Sequence, residues 1–413
     1  MNMSKYPIIA KPEWRRWATP VPLKERAVHR WYYFPHSFTN DLVCALIDEW
    51  GLDQADRILD PFCGAGTTLV AAKDKGIAAT GYDLSPLAVL ATKVKTSNYR
   101  VRSIRSSWLR LKSNIDPCNW NGPAKAYPLL VRNALPGKLL GAFDSIGRAI
   151  EALSCSDAER LLFQLALLRT LPVFSRAVAT GGWLSWRSNH RTSTGILTEF
   201  SSRVEQMLTD LEEGGLPRRN TCIAAVGDAR NLPDKDRTYS AVITSPPYPN
   251  RHDYTRVFGI ELMFGFLNWS QARQLRYQSF ESHPEARPKR PDIAEQYEQP
   301  AGLTRALSLL KKAGVEDRII RMLKGYFLDS YICAREAARV CRRKARLAFV
   351  VGNVQYCGVA IPVDELFAEI GERSGLRCKT LLAVRSRGNS AQQMGLYGRN
   401  PSRESVVVFE KTC

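Results

Sequence analysis

Three short segments of this chain carry side chains whose types and spacing could do chemistry. The first, RILDPFCGAGTTLVAA, is an apolar run closing on Asp60, then a turn holding Gly64 and Gly66, then a helical pattern. Those glycines let the backbone fold tightly and approach a ligand with no Cβ in the way. The second is Asp83, delivered by the run Ala78–Tyr82. An acid about 20 residues beyond a glycine-rich first turn has the spacing that reaches a ribose diol. The third, Ser245-Pro246-Pro247-Tyr248, directly follows the run Ser240–Thr244. Consecutive prolines fix φ and remove two backbone donors, leaving a rigid turn that presents carbonyls. With the Ser245 hydroxyl these make an acceptor-rich site for a substrate bearing N–H groups, and Tyr248 offers a face for stacking a planar ring, worth ~1–3 kcal/mol per base. The chemistry implied is a nucleoside crevice beside a base pocket.

Two other readings of the first segment fit less well. After Gly64-Ala65-Gly66 comes Thr67-Thr68-Leu69, so the third glycine of a dinucleotide fingerprint is absent, as is the G-K-[ST] ending of a phosphate-cradling loop. Taken singly, each motif also admits a plain alternative, a glycine turn with no ligand or a proline-rich turn.

The elements that must position these groups can be read from periodicity. Strand-like runs bounded by turn residues occur at Arg57–Leu59, Ala78–Tyr82, Thr221–Val226, Ser240–Thr244, Leu347–Val351, Lys379–Val384 and Ser405–Phe409. Helical patterns lie at Thr67–Lys75, Pro86–Lys95 and Val363–Ser374. Alternating strands and helices predict an α/β fold with a mostly parallel sheet, and the last two runs, with no helix between them, an antiparallel hairpin. Two stretches interrupt the alternation. Residues 97–220 form a mainly helical insertion, with a helix over Ser156–Val178 and a loop at Gly181–Thr194. Residues 268–324 form a second insertion, a lid or recognition element. The catalytic domain then comprises 1–96 with an N-terminal arm, 221–267 and 325–413.

Composition bounds the function. The 413 residues carry 59 Lys+Arg against 40 Asp+Glu, a net charge of +19, which points to a polyanionic partner. From Leu84 to Phe143 the only acid is Asp116, and the arm from Lys5 to Arg30 is similarly basic. Such runs are either solvated faces or part of a nucleic-acid surface. A third cluster, Arg335 to Arg346, has helical spacing and predicts an exposed helix before a strand. The best apolar candidate for a membrane span, Leu161–Phe174, is broken by Arg169 and Pro172. No secretory leader is evident, which predicts a cytoplasmic, DNA-associated protein. The 10 cysteines are scattered without a C-x-x-C pair, arguing against a zinc site, so no metal is expected.

Taken together, the motifs resemble those of the S-adenosylmethionine-dependent DNA amino-methyltransferases. DPFCGAGTT looks like that family's first cofactor motif and SPPY like its catalytic tetrapeptide. Gly81-Tyr82-Asp83-Leu84 stands where the second-strand acid sits, Gly227-Asp228-Ala229-Arg230 resembles the third-strand acid, and HRWYYFPHSF is similar to the segment closing over the methionine moiety. The resemblance spans about half the chain and neither insertion. It implies a Rossmann-like methyltransferase fold, a seven-stranded sheet with an antiparallel C-terminal hairpin. S-Adenosylmethionine is the implied cofactor. Phe34, Ser37, Asp60, Pro61, Phe62, Gly64, Gly66, Thr67 and Thr68 would surround its amino-acid end; Asp83 and Leu84 its ribose and adenine; Asp228 and Ala229 its adenine amine.

Ser245, Pro246, Pro247 and Tyr248 are the implied catalytic residues. Serine at the head of the tetrapeptide leans towards the exocyclic amine of cytosine rather than of adenine. The target would flip out of duplex DNA, stack on Tyr248, and donate hydrogen bonds from its two amine N–H groups to acceptors at Ser245 and the Pro246 carbonyl while its lone pair attacks the methyl in line. A restriction endonuclease is the implied companion. Adenine-N6 transfer, an RNA amino-methyltransferase and an inactive nucleic-acid-binding protein stay open. Cys63, inside the first motif, and Cys118, in the first insertion, read as structural, and His252 as a loop residue or phosphate contact. The loops Gly181–Thr194 and Arg385–Arg403 are candidate DNA readers or ordinary solvated loops.

Overall fold

The computed structural model describes residues 4–35, 37–117, 120, 123–188, 191–214, 221–387, 398 and 401–412. Its strands are β1 (Ile8–Ala10), β2 (Arg57–Asp60), β3 (Ala78–Asp83), β4 (Ala177–Thr180), β5 (Trp183–Trp186), β6 (Cys222–Val226), β7 (Tyr239–Thr244), β8 (Cys341–Gly352), β9 (Val354–Tyr356), β10 (Val359–Ile361), β11 (Leu376–Arg387) and β12 (Ser402–Lys411). Eight of them form one sheet in the order β1-β11-β12-β8-β7-β2-β3-β6. Pairing is parallel from β8 through β7, β2 and β3 to β6, and antiparallel where β12 enters between β8 and β11. The α/β fold and the C-terminal hairpin are therefore as expected. The eighth strand, β1, is a three-residue edge pairing parallel to β11 at Ile8↔Leu381, too short to leave a sequence signal.

Chain order makes β2 the switch point. From β2 the chain moves outward through β3 to β6, then returns to place β7 on the other side of β2. Ligands of open α/β sheets bind beyond the carboxyl ends of the strands at such a point. The three motifs end β2, β3 and β7, so the topology brings them to one crevice.

The strands alternate between two cores, as period-2 sequences buried on both faces must. On one face Ile58, Ala241, Ile243, Ala348 and Val350 pack against the helices Asn40–Trp50 and Thr67–Asp74. On the other, Leu59, Val242, Leu347 and Phe349 pack against the helices Asp317–Val340 and Val363–Arg373. A third core lies in the first insertion, where Trp108, Phe143, Phe163 and Phe200 from four helices enclose Trp31 and Tyr32 of the N-terminal segment.

Three expectations need correction. The helix over Ser156–Val178 ends at Phe174, and the loop expected from Gly181 begins as a hairpin: β4 and β5 pair antiparallel with Thr180 opposite Trp183 across Gly181-Gly182. A two-glycine connection, with Gly181 at φ +60°, suits a tight hairpin turn. The basic cluster Arg335–Arg346 is also not one helix. The helix stops at Val340 and Cys341 already begins β8, because the strand extends along β7 as far as Tyr239. Cys118, Asn189, His190 and most of the Arg385–Arg403 loop lie outside the described residues.

Much of the basic charge serves the scaffold. Arg26 pairs with Asp41 at 2.8 Å, Lys5 with Glu372 at 2.9 Å, and Arg105 with Glu212 at 2.6 Å. Arg30 pairs with the buried Asp210, which also accepts the Trp31 indole N–H at 2.7 Å. No helix among the described residues is long and apolar enough to cross a membrane.

Candidate active site

At the end of β2 the buried Asp60 carboxylate accepts the Phe62 amide at 3.1 Å and the Thr244 hydroxyl at 2.6 Å. Thr244 immediately precedes Ser245, so one carboxylate ties the glycine turn to the SPPY turn. Burial pushes Asp60 up to about 6, against the pull of its hydroxyl and amide donors. Gly64 and Gly66 have φ of +50° and +83°. A Cβ on Gly66 would lie 2.8 Å from Thr92 Oγ1 and 3.1 Å from Thr92 Cα, so the turn sits hard against the helix Pro86–Thr96. From that helix the buried Lys95 donates to the Ala65 carbonyl at 2.9 Å and to that of Tyr32. Lys95 thereby fastens the N-terminal segment to the turn, which places Phe34 over Gly64 and in a stack with Phe258 at 4.6 Å.

Asp83, closing β3, accepts the Gly64 amide at 3.0 Å and the Ser85 amide at 2.8 Å, which fixes its carboxylate at the mouth of the turn. Burial pushes it up to about 6, partly opposed by those two donors. Asp228, beyond β6, is held by Arg230 through contacts of 2.8–3.2 Å to both carboxylate oxygens. Arg230 is only 3% exposed and also reaches the fully buried Asp329 at 3.2 Å. The pairing continues from Asp329 to Arg290 (2.8 Å), from Arg290 to Glu281 (2.6 Å) and from Glu281 to Arg321 (3.0 Å). This ladder pins the second insertion to the helix Asp317–Val340.

These groups enclose a cleft of about 150 Å³. Of the residues expected at the site, Phe34, Pro61, Phe62, Gly64, Asp83, Leu84, Asp228, Ala229, Ser245, Pro246, Pro247 and Tyr248 all line it. Ser37, Asp60, Gly66, Thr67 and Thr68 are not among its lining residues. Thr68 donates to the Ile243 carbonyl at 3.2 Å, and Ser37 and Thr67 lie 3.4 Å apart, so these side chains brace the turn from behind. Sequence reasoning missed Tyr254, Thr255, Phe258 and Leu262, which follow SPPY, and Leu275, Ser279 and Phe280 of the second insertion. No spacing rule marks them; only proximity to SPPY could have suggested the first four. Cys63 packs against Gly81 beneath the turn, its thiol pushed well up by burial. His252 donates its backbone amide to Asn250 Oδ1 at 3.1 Å. Asp253 is engaged by Arg276 at 2.8 Å and Arg256 at 3.3 Å, which suits ion pairing rather than the holding of a cation with its neighbours His283 and Glu285.

The SPPY turn has a defined polarity. Ser245 Oγ donates to the Val350 carbonyl at 3.0 Å, which leaves its lone pairs as acceptors. The Tyr248 ring packs closely against Gly352, where a Cβ would stand 2.9 Å from Cε2 and 3.0 Å from Cδ2. The Tyr356 hydroxyl donates to the Pro249 carbonyl and anchors the next residue. Gly352→Ala is therefore expected to displace the ring and cut turnover by about a hundredfold, the cost of a misplacement near 1 Å. Cofactor affinity should stay unchanged; calorimetry beside single-turnover rates checks both.

The cleft fits a cationic nucleoside. Among its described lining residues Arg230 is the one basic side chain, and it is already taken up by two carboxylates, which leaves those residues little counter-charge for an anionic pyrophosphate. Asp83 and Asp228 suit hydroxyl and amine donors and tolerate a sulfonium. Sheet order and cleft together define the fold class, a Rossmann-like α/β methyltransferase fold with its crevice at the switch point of the sheet. Within it, the chain is similar to the type II methyltransferase M.BsoBI of Geobacillus stearothermophilus, at 28% identity over 94% of this chain and 86% of that one. It is equally similar to the type II methyltransferase M.AvaI of a Nostoc species, at 28% identity over 94% of this chain and 87% of that one. A shorter likeness, 33% over 21% of this chain and 27% of that one, joins it to a tRNA (guanine(10)-N2)-dimethyltransferase of Methanothermobacter thermautotrophicus. No protein-family model matches the chain.

Proposed function

We propose that this chain methylates the exocyclic amine of a base flipped out of duplex DNA, cytosine N4 by preference, as the modification half of a restriction system with a cognate endonuclease. The observation that carries the proposal is the SPPY turn set into the wall of the cofactor cleft, with Ser245 oriented as an acceptor and Tyr248 seated on Gly352. Similarity over nearly the whole chain to two type II methyltransferases supports DNA as the substrate, whereas the tRNA-modifying relative matches only a fifth of it.

When bound, S-adenosylmethionine supplies an activated methyl group. The chain's own residues do the rest. Asp83 accepts from the ribose hydroxyls and Asp228 from the adenine amine, while Phe34, Phe62 and Phe258 exclude water. Tyr248 takes the flipped ring on one face. Ser245 Oγ and the Pro246 carbonyl accept hydrogen bonds from the two amine N–H groups, which turns the nitrogen lone pair out of the ring; as the N–CH3 bond would form the S–CH3 bond would break, and one of the two protons would then leave to solvent. Positioning supplies most of the rate.

Affinity for the cofactor should depend on pH in a definite direction. Asp83 titrates near 6 in the free protein, and only its ionised form accepts two hydroxyls. Ligand binding favours the ionised form and lowers that pKa, so affinity is full above about 6 and falls by up to about tenfold per unit below it. Calorimetric titration across this range checks the slope, and Asp83→Asn should abolish it.

The direct test is incubation with methyl-labelled S-adenosylmethionine and either unmethylated duplex DNA or RNA, followed by sequencing of the modified positions. Label in DNA at a fixed site is expected. Label confined to RNA overturns the proposal.

A further inference from the structure

The hairpin β4–β5 projects from the first insertion to the rim of the cleft, and its position is fixed from two sides. At its turn, a Cβ on Gly182 would stand 3.4 Å from the Arg251 carbonyl oxygen and 3.5 Å from His252 Cα, so the glycines press on the segment leaving SPPY. At its base, Ser175 Oγ caps Ala177, and the Arg187 amide donates to the Arg176 carbonyl at 2.9 Å. Leu184 packs inward beside Gly259. Trp183, first residue after the turn, remains 58% exposed. The Arg256 guanidinium lies 4.4 Å over its ring, and Arg256 itself follows the cleft-lining Tyr254 and Thr255. With the exposed Trp186 on the same hairpin, this indole gives a rigid two-strand support an exposed aromatic surface of the kind that marks an interaction site.

Charge indicates what covers it. No Asp or Glu occurs between Glu159 and Glu199, a stretch that carries Arg160, Arg169, Arg176, Arg187 and Arg191. Arg176, Arg187 and, opposite them, Arg251 are exposed around the hairpin. A flat aromatic ring inside a basic rim suits a stacked polyanion.

We propose that Trp183 is the wedge of this enzyme: its indole stacks on the bases next to the gap left when the target nucleotide enters the SPPY pocket, holding the duplex open. This rests on the reading of the cleft as a DNA amino-methyltransferase site. Trp183 then acts on the cost of unpairing and not on the transfer itself. The distinction matters for the test, because a target base that is already mispaired leaves the stack at little cost.

The experiment uses the full chain and synthetic duplexes carrying the site mapped for the wild-type enzyme, with the target base either paired or opposite a mismatch. Trp183→Ala should lower the single-turnover rate on the paired duplex by between about fivefold and a hundredfold, the equivalent of one ring's stacking. On the mismatched duplex its rate should match that of the wild type, and Trp183→Phe should retain most of the paired rate. Equal losses on both duplexes, or no loss on either, overturn the wedge. Failure of the wild-type chain to methylate any duplex is a different result; it removes the DNA reading itself before the variant is considered.

Discussion

Replacing Tyr248 by alanine is expected to lower methyl transfer by at least about a hundredfold while leaving cofactor affinity within about twofold. The ring belongs to the SPPY turn and not to the cofactor's acids. It rests on Gly352, and its backbone carbonyl accepts the Asn250 amide at 2.7 Å, so the backbone of the turn stays in place without it. On the proposed reading, what is lost is the surface that would carry the extruded base, and with it the alignment of the amine against Ser245. Tyr248→Phe keeps that surface and should retain most activity. Rapid-quench rates with calorimetric cofactor titrations separate the two quantities. Equal loss of binding and turnover would mean the turn had collapsed, and the catalytic assignment would fall.

Arg230→Ala should cost about 3–5 kcal/mol of folding stability, the usual penalty for removing one partner of a buried pair. Arg230 holds Asp228 with both arms of its guanidinium, reaches Asp329 in a fully buried position, and donates to the Gln278 carbonyl of the second insertion. Its removal leaves Asp329 with Arg290 and the Glu281 amide and frees Asp228 to turn away from the cleft. Cofactor affinity should fall with stability, which Asp83→Asn would not reproduce in the same proportion. Removing both charges together, as Arg230→Met with Asp329→Asn, should recover part of the loss, since an absent pair costs less than a broken one. Urea unfolding measures it. A loss below about 1 kcal/mol would show that the ladder contributes no more than a surface pair.

Where structure and sequence agree, the signal was local. The strand closing on Asp60, the glycine turn and Asp83 lie within 30 residues, and strand-end acids with turn glycines are readable from spacing. SPPY is legible because two prolines have few structural uses after a strand. The ladder was not legible. Arg230 meets Asp329 across 99 residues and no periodicity links them. The lining residues Leu275, Ser279 and Phe280 reach the cleft only because that ladder seats the second insertion. The hairpin β4–β5 did leave a trace, Gly-Gly between two short apolar runs, but its aromatic and basic content reads as easily as a loop. In Arg335–Arg346 the charge spacing favoured a helix, while pairing with β7 decided the strand from Cys341 onward. Basicity was likewise ambiguous: Lys95 belongs to the basic run yet is buried, spending its charge on two carbonyls beneath the cofactor turn.

The measurement that bears most directly on the central claim is nucleoside mass spectrometry of unmethylated duplex DNA after incubation with the chain and S-adenosylmethionine. The account predicts a single new nucleoside, 2′-deoxycytidine methylated on its exocyclic amine. Methylation at carbon 5, which requires a covalent cysteine nucleophile that is not found among the described residues lining the SPPY pocket, would contradict it.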